Sequence, residues 1–212
     1  MRLIIAGAAI GGLVLSGCSH TAPTLPADPL DRAATCSAIQ LASEQQAVGA
    51  GQLSAEAQER VLHVALLAGA SDQGFDRERG NAVINRTATV FDQATKGKWQ
   101  TLKPACVADY PPLAQAHPTL PNKPFERDLQ CYALTDFMRK ALGQLGGRYA
   151  EASLALGIQA DKLDGRIATE IKKQGLVGDK LQARKGQALA DAARLGQPPA
   201  VLAACKAAQP PR

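Results

Sequence analysis

The sequence predicts an all-α protein made of two helical units of about three to four helices each, every unit closed by one disulfide. Three observations predict it. Apolar residues recur at helical spacing while alternating β-branched runs are nearly absent. Twelve of the 13 prolines fall in tethers, linkers or helix ends, and the other, Pro104, sits near a first turn where proline is tolerated. Four of the five cysteines form two pairs with nearly equal separations, 70 residues from Cys36 to Cys106 and 74 from Cys131 to Cys205.

The chain has 212 residues, 46% hydrophobic but only 4% aromatic, enough for one or two compact domains with few large side chains in the core. A net charge of +5 is a mild bias and excludes a dedicated nucleic-acid binder. With three histidines, no Cys-x-x-Cys and no glycine-rich phosphate motif, the chain offers little from which to build an enzyme, and no catalytic residue, metal site or cofactor is expected.

The first 18 residues read as an export signal: basic Arg2, an apolar stretch from 3 to 15, then Ser16 and Gly17. That apolar stretch is shorter than the roughly 20 residues a spanning helix needs. Leu15-Ser16-Gly17-Cys18 resembles the lipobox of bacterial lipoproteins. The resemblance implies a signal peptide over 1–17, a diacylglycerol on the Cys18 thiol, cleavage before Cys18 and acylation of the new amino group. Two or three acyl chains anchor where one binds only marginally. In that class an aspartate after the cysteine commonly retains the protein at the inner membrane. Ser19 at that position implies the periplasmic face of the outer membrane. Residues 18–29 then form a proline-rich tether that contains His20.

Residues 30–109 form the first helical repeat, 110–125 a Pro-rich linker and 126–212 the second repeat. At an offset of 99, Asp92, Ala94 and Gly97 match Asp191, Ala193 and Gly196, and Cys106-x-Ala-x-x-Pro-Pro matches Cys205-x-Ala-x-x-Pro-Pro. Cys36-Ser-Ala and Cys131-Tyr-Ala add a weaker match. An internal duplication with bridges Cys36–Cys106 and Cys131–Cys205 follows. Zinc would need close ligand pairs, and no two of these four cysteines lie nearer than 25 residues.

In the first repeat, helices are expected over 31–48, from an N-cap at Ser54 to Ala68, and over 76–94 with Gly80, Ile84, Thr87 and Phe91 on one stripe beside Val83 and Ala88. A short segment with Trp99, Leu102 and Cys106 returns to the first helix. In the second repeat, helices are expected over 128–145, 160–174 and 179–195, the last stopping before Gly196 and Pro198-Pro199. The Trp99-x-x-Leu102-x-x-x-Cys106 spacing resembles the closing segment of small helical lysozyme-inhibitor-type lipoproteins over eight residues, and carries over no functional residue.

Charge is uneven: residues 30–109 carry a net −1 and residues 126–212 a net +5. Lys162, Arg166, Lys172 and Lys173, followed by Lys180, Arg184 and Lys185, could meet an anionic envelope surface, although Asp161, Asp164, Glu170 and Asp179 are interspersed as on an ordinary solvated face. Glu59 and His63, one helical turn apart, could supply two metal ligands or an acid/base pair but lack a third group, and His117 stands alone in the linker. The expected function is a non-enzymatic, lipid-anchored module that binds an envelope protein or an anionic envelope component. The alternative is an inhibitor or immunity protein against a cell-wall hydrolase or toxin, which would use a protruding loop around 117–125.

Overall fold

The computed structural model describes residues 24–49 and 51–209. The signal segment, Cys18, Ser19 and His20 lie outside the described residues. The chain is all-α, with helices α1 (Pro29–Val48), α2 (Ala55–Gly69), α3 (Arg77–Ala94) and α4 (Lys103–Asp109), then α5 (Pro124–Gln144), α6 (Ala150–Lys173), α7 (Gly178–Leu195) and α8 (Pro198–Ala207). Each unit therefore has four helices. Cys36 of α1 is bridged to Cys106 of α4, and Cys131 of α5 to Cys205 of α8, so each bridge ties the first helix of a unit to its last.

Short polar side chains start the first three helices. Asp28 accepts from the Asp31 amide at 2.9 Å, Ser54 from the Ala57 amide at 3.1 Å, and Asp76 from the Arg79 amide at 3.0 Å. Each supplies an acceptor to a first-turn donor that has no partner within its helix. Pro29, Pro124 and Pro198 stand in the first turns of α1, α5 and α8. There the missing amide costs nothing and the fixed φ is already helical.

That is why α8 is absent from the sequence expectation: Pro198-Pro199 reads as a stop but opens a helix. α6 begins ten residues earlier than expected, because Ala152, Leu156 and Ala160 extend the stripe of Leu163 and Ile167 through Gly157. On α3 the buried stripe is Gly80, Val83 and Thr87, whereas Ile84 is 40% exposed and Ala88 is also outside. The helix turns its i, i+3, i+7 edge inward, and Ile84 falls beyond it.

The units are joined through α2, whose residues belong to two apolar clusters. Val64, Ala65 and Ala68 pack with Ile39, Val83, Trp99 and the first disulfide. Leu62 and Leu66 pack with Leu129, Leu134, Val201 and the second disulfide. A helix buried on several sides has to be apolar on several sides, as Val61-Leu-His-Val-Ala-Leu-Leu is. After α2 a two-residue hairpin, Ala70–Ser71 with Gly74–Phe75, lies on α7 and sets Phe75 edge-on to Phe137 at 5.6 Å.

The segment between the units is also fastened. Gln197 donates its backbone amide to Gln115 O at 2.9 Å and its side-chain amide to Leu113 O at 2.7 Å. Gly196, at φ +149°, leaves no room for a side chain there, since a Cβ would stand 2.6 Å from Gln115 O. Gly196→Ala is expected to lower unfolding stability by about 2 kcal/mol, combining backbone strain with a forced separation of these strands of chain. Chemical denaturation of both proteins measures it; an unchanged midpoint would show that the contact yields freely.

Further residues match between the two units. Pro118-Thr-Leu-Pro-x-x-Pro-x-x-Arg127 reproduces Pro23-Thr-Leu-Pro-x-x-Pro-x-x-Arg32 at an offset of 95, and the same offset carries Cys36 to Cys131 and Ala55-Glu-Ala57 to Ala150-Glu-Ala152 without a gap. Leu25 packs on the first cluster and Leu120 on the second. Four inward residues of α2, Ala57, Val61, Ala65 and Ala68, correspond to Ala152, Leu156, Ala160 and Leu163, which also face inward on α6.

Candidate functional site

The most chemically distinctive groups lie on α2, where the two units meet. The His63 ring is 1% exposed, and its Nε2 lies 2.8 Å from the carbonyl oxygen of Ala193. A carbonyl can only accept, so Nε2 carries the proton. Ala193 is in the last turn of α7, where carbonyls lack partners within their helix, so His63 supplies a donor that the α7 backbone cannot. Nδ1 is buried without a hydrogen-bond partner, and burial lowers the ring's pKa to about 4, with the Ala193 contact opposing part of that shift.

Glu59, one turn earlier, is 6% exposed. Loss of hydration raises its carboxyl to about 7; the charge of Glu56 adds to the rise and that of Arg60 offsets some of it. Arg60 itself is committed elsewhere, holding both oxygens of the buried Glu44 at 2.8 and 2.7 Å and so tying α2 to α1. A carboxyl near 7 is poised for proton transfer. However, neither Glu59 nor His63 lines either of the two clefts described below, and among the described residues no three His, Cys, Asp or Glu side chains group as metal ligands.

One cleft, of about 400 Å³, lies between the start of α2 (Gln52 to Ala55) and the start of α6 (Arg148, Tyr149, Glu151, Ala152, Ala155). Its floor is fixed by Tyr149, whose hydroxyl donates to Leu53 O at 3.2 Å while the Arg148 guanidinium stands 5.9 Å from its ring centre. The other, of about 310 Å³, is bordered by Asp31 and Thr35 of α1, Arg86, Val90, Gln93 and Ala94 of α3, and Trp99 and Leu102 beyond it. Arg86 closes one edge through a 2.6 Å bond to Asp31.

All four basic positions expected to face an anionic surface are on α6. Lys162, Lys172 and Lys173 are exposed, Lys173 with Glu170 3.7 Å away. Arg166 is turned inward and holds Asp128 of α5 at 2.7 Å, where Arg127 also reaches the same carboxylate. On α7, Arg184 is paired with Glu126, and Lys185 sits 4.4 Å above the Tyr132 ring. These internal counter-charges are 38 and 58 residues away in sequence, so no local pattern announces them. His117 is exposed, with its carbonyl held by Gln115.

Two features escaped the sequence reading. Leu154 and Ile158 project from α6 with 67% and 52% of their surfaces exposed, and among the described residues nothing fills the cleft beside α3, which Thr24 and Pro26 also line. The signal that could have found the first is the repeated Ala-Glu-Ala, which aligns Leu154 with Glu59 and Ile158 with His63. No family model, curated protein or solved structure matches this chain.

Proposed function

We propose that the protein is an exported, lipid-anchored helical module of the bacterial cell envelope that acts by binding rather than by catalysis. The observation that carries this reading is the use of its cysteines. Four pair within the helical units, and the fifth, Cys18, stands at the end of an apolar stretch in a lipobox-like setting. Persistent disulfides suit an oxidising compartment outside the cytoplasm. No helix among the described residues is long and apolar enough to cross a membrane, which leaves the Cys18 lipid as the proposed attachment.

Ser19 favours the periplasmic face of the outer membrane. The binding reading draws support from the histidine at the unit junction, whose proton is committed to the α7 backbone. The partner class is an envelope protein or an anionic envelope component, the latter met by Lys162, Lys172 and Lys173 of α6 rather than by Arg166, which is occupied by Asp128.

Lipidation has a direct test. The wild-type protein should incorporate labelled palmitate and partition into the detergent phase. Cys18→Ala should take up no label and either accumulate as precursor or be released as a soluble form. A Cys18→Ala protein that is still processed and membrane-bound overturns the proposal.

A further inference from the structure

The contact between the two units is heterologous. α2 of the first unit rests on α7 and α8 of the second, but α6, the helix in the corresponding place, makes no comparable contact with α3 or α4. The units match in sequence but not in all their packing, since α2 also packs on α3 whereas α6 makes no comparable contact with α7; a heterologous contact between such units still leaves a counterpart of each mating face unused, one at each end. Among the described residues nothing covers either counterpart.

The docking face of α2 includes Leu62, His63 and Leu66, with Glu59 a turn before. At the offset of 95, Leu154 and Ile158 of α6 occupy the places of Glu59 and His63. They are apolar where α2 is polar, yet exposed where α2 is buried. The receiving face of the second unit includes Leu189, Ala193 and Val201, packed with Leu62 and Leu66. At the offset of 99 their counterparts are Val90, Ala94 and Leu102, and these three border the open 310 Å³ cleft.

We propose that this protein self-associates head to tail, α6 of one copy seating Leu154 and Ile158 in the α1/α3 cleft of the next. The occupant is a second copy of this chain because the two faces stand, by these offsets, where the pair already mated inside it stands: the receiving positions stay apolar, and on α6 the apolar residues move to Leu154 and Ile158 while Gly157 takes the place of Leu62. Charge agrees at one point: Glu151 and Asp161, both exposed, bracket the apolar pair on α6, and the cleft carries Lys96, its Arg86 being already paired with Asp31. Asp161 and Lys162 replace Leu66 and Leu67, so the contact between copies is smaller and more polar than the one within the chain, as suits reversible assembly. Each joined copy again presents one free face of each kind, and assembly proceeds beyond dimers unless the rotation closes a ring.

The test uses the full-length exported chain carrying a photoreactive phenylalanine analogue in place of Ile158. Irradiation of cells should give a ladder of dimer, trimer and larger species, with peptide mapping that joins position 158 to the 90–102 segment of another copy. The same analogue at Gln93 should map to α6. The double substitution Leu154→Asp and Ile158→Asp, both at exposed positions, should reduce the Gln93 adduct at least about tenfold while leaving helicity and thermal unfolding unchanged. Only monomers, a crosslink from 158 to 158, or adducts solely with a different protein would each overturn the proposal.

Discussion

Loss of either disulfide should be the most damaging single change to this protein. The loops closed span 70 and 74 residues, and by chain entropy alone a closed loop of that size stabilises the folded state by about 4 kcal/mol. The two bridges have similar loops but different surroundings, and this separates their expected consequences. Cys131 and Cys205 lie in the larger cluster with Leu129, Leu134, Met138 and Val201, whose large side chains hold α5 to α8 without the bond. Cys36 and Cys106 lie among Ala33, Ala42, Ala65 and Ala68, with Ile39, Val64, Val83, Trp99 and Leu102 as the larger members. Alanines bury little area each, so α4, only seven residues long, depends on its bridge more heavily.

Cys36→Ala with Cys106→Ala should therefore release α4 and the Trp99 turn. Trp99 is the sole tryptophan and is 9% exposed, so its fluorescence should shift to the red at denaturant concentrations where helicity is still largely native. Cys131→Ala with Cys205→Ala should instead lower the midpoint of one transition seen alike by fluorescence and helicity. If the tryptophan and helix signals of the first pair coincide across the whole titration, α4 is held by packing and not by its bridge.

Much of this architecture can be read from the residues, and the failures have identifiable causes. Ser54 and Asp76 begin helices because a short side-chain acceptor serves the first-turn amides, and that signal is local. Equal cysteine spacing discloses the pairing because each unit has to bring its last helix back to its first. Pro198-Pro199 is ambiguous by nature, since the same residues end one helix and begin another. The faces of α2 are beyond local reading. Periodicity identifies Val61, Leu62, Ala65 and Leu66 as buried, but not that Leu62 and Leu66 serve a different unit from Ala65. His63 illustrates the same limit: its partner is a backbone oxygen 130 residues away. Arg166 looks like one more surface cation until Asp128 is brought beside it.

The buried pair on α2 should make stability almost independent of pH across a range where either residue alone would make it steep. His63 has a folded value of about 4 against 6.5 for the free ring, so the unfolded chain takes up that proton first. Its contribution is complete above 6.5 and is lost, by up to about 3 kcal/mol, as pH falls toward 4. Glu59 has a folded value of about 7 against 4.5, so the folded chain keeps its proton longer. Its contribution is complete below 4.5 and is lost, by a similar amount of about 3 kcal/mol, as pH rises through 7.

Between 4.5 and 6.5 the folded state holds one proton on Glu59 and the unfolded state one on His63, so the difference in bound protons, and with it the slope, is near zero. Asp31, held low by its bond from Arg86, titrates below this window. Asp136 does as well, because bonds from Lys140 and Arg139 outweigh its partial burial. Glu59→Gln should expose the histidine slope, with stability rising by about 3 kcal/mol from pH 4 to 6.5. His63→Gln should expose the opposite slope, with stability falling from pH 4.5 to 7, on top of a uniform loss wherever the new amide fails to reach Ala193. Urea titrations of the three proteins at half-unit pH steps measure this. Variant profiles that run parallel to the wild type would show that neither group carries the burden its burial implies.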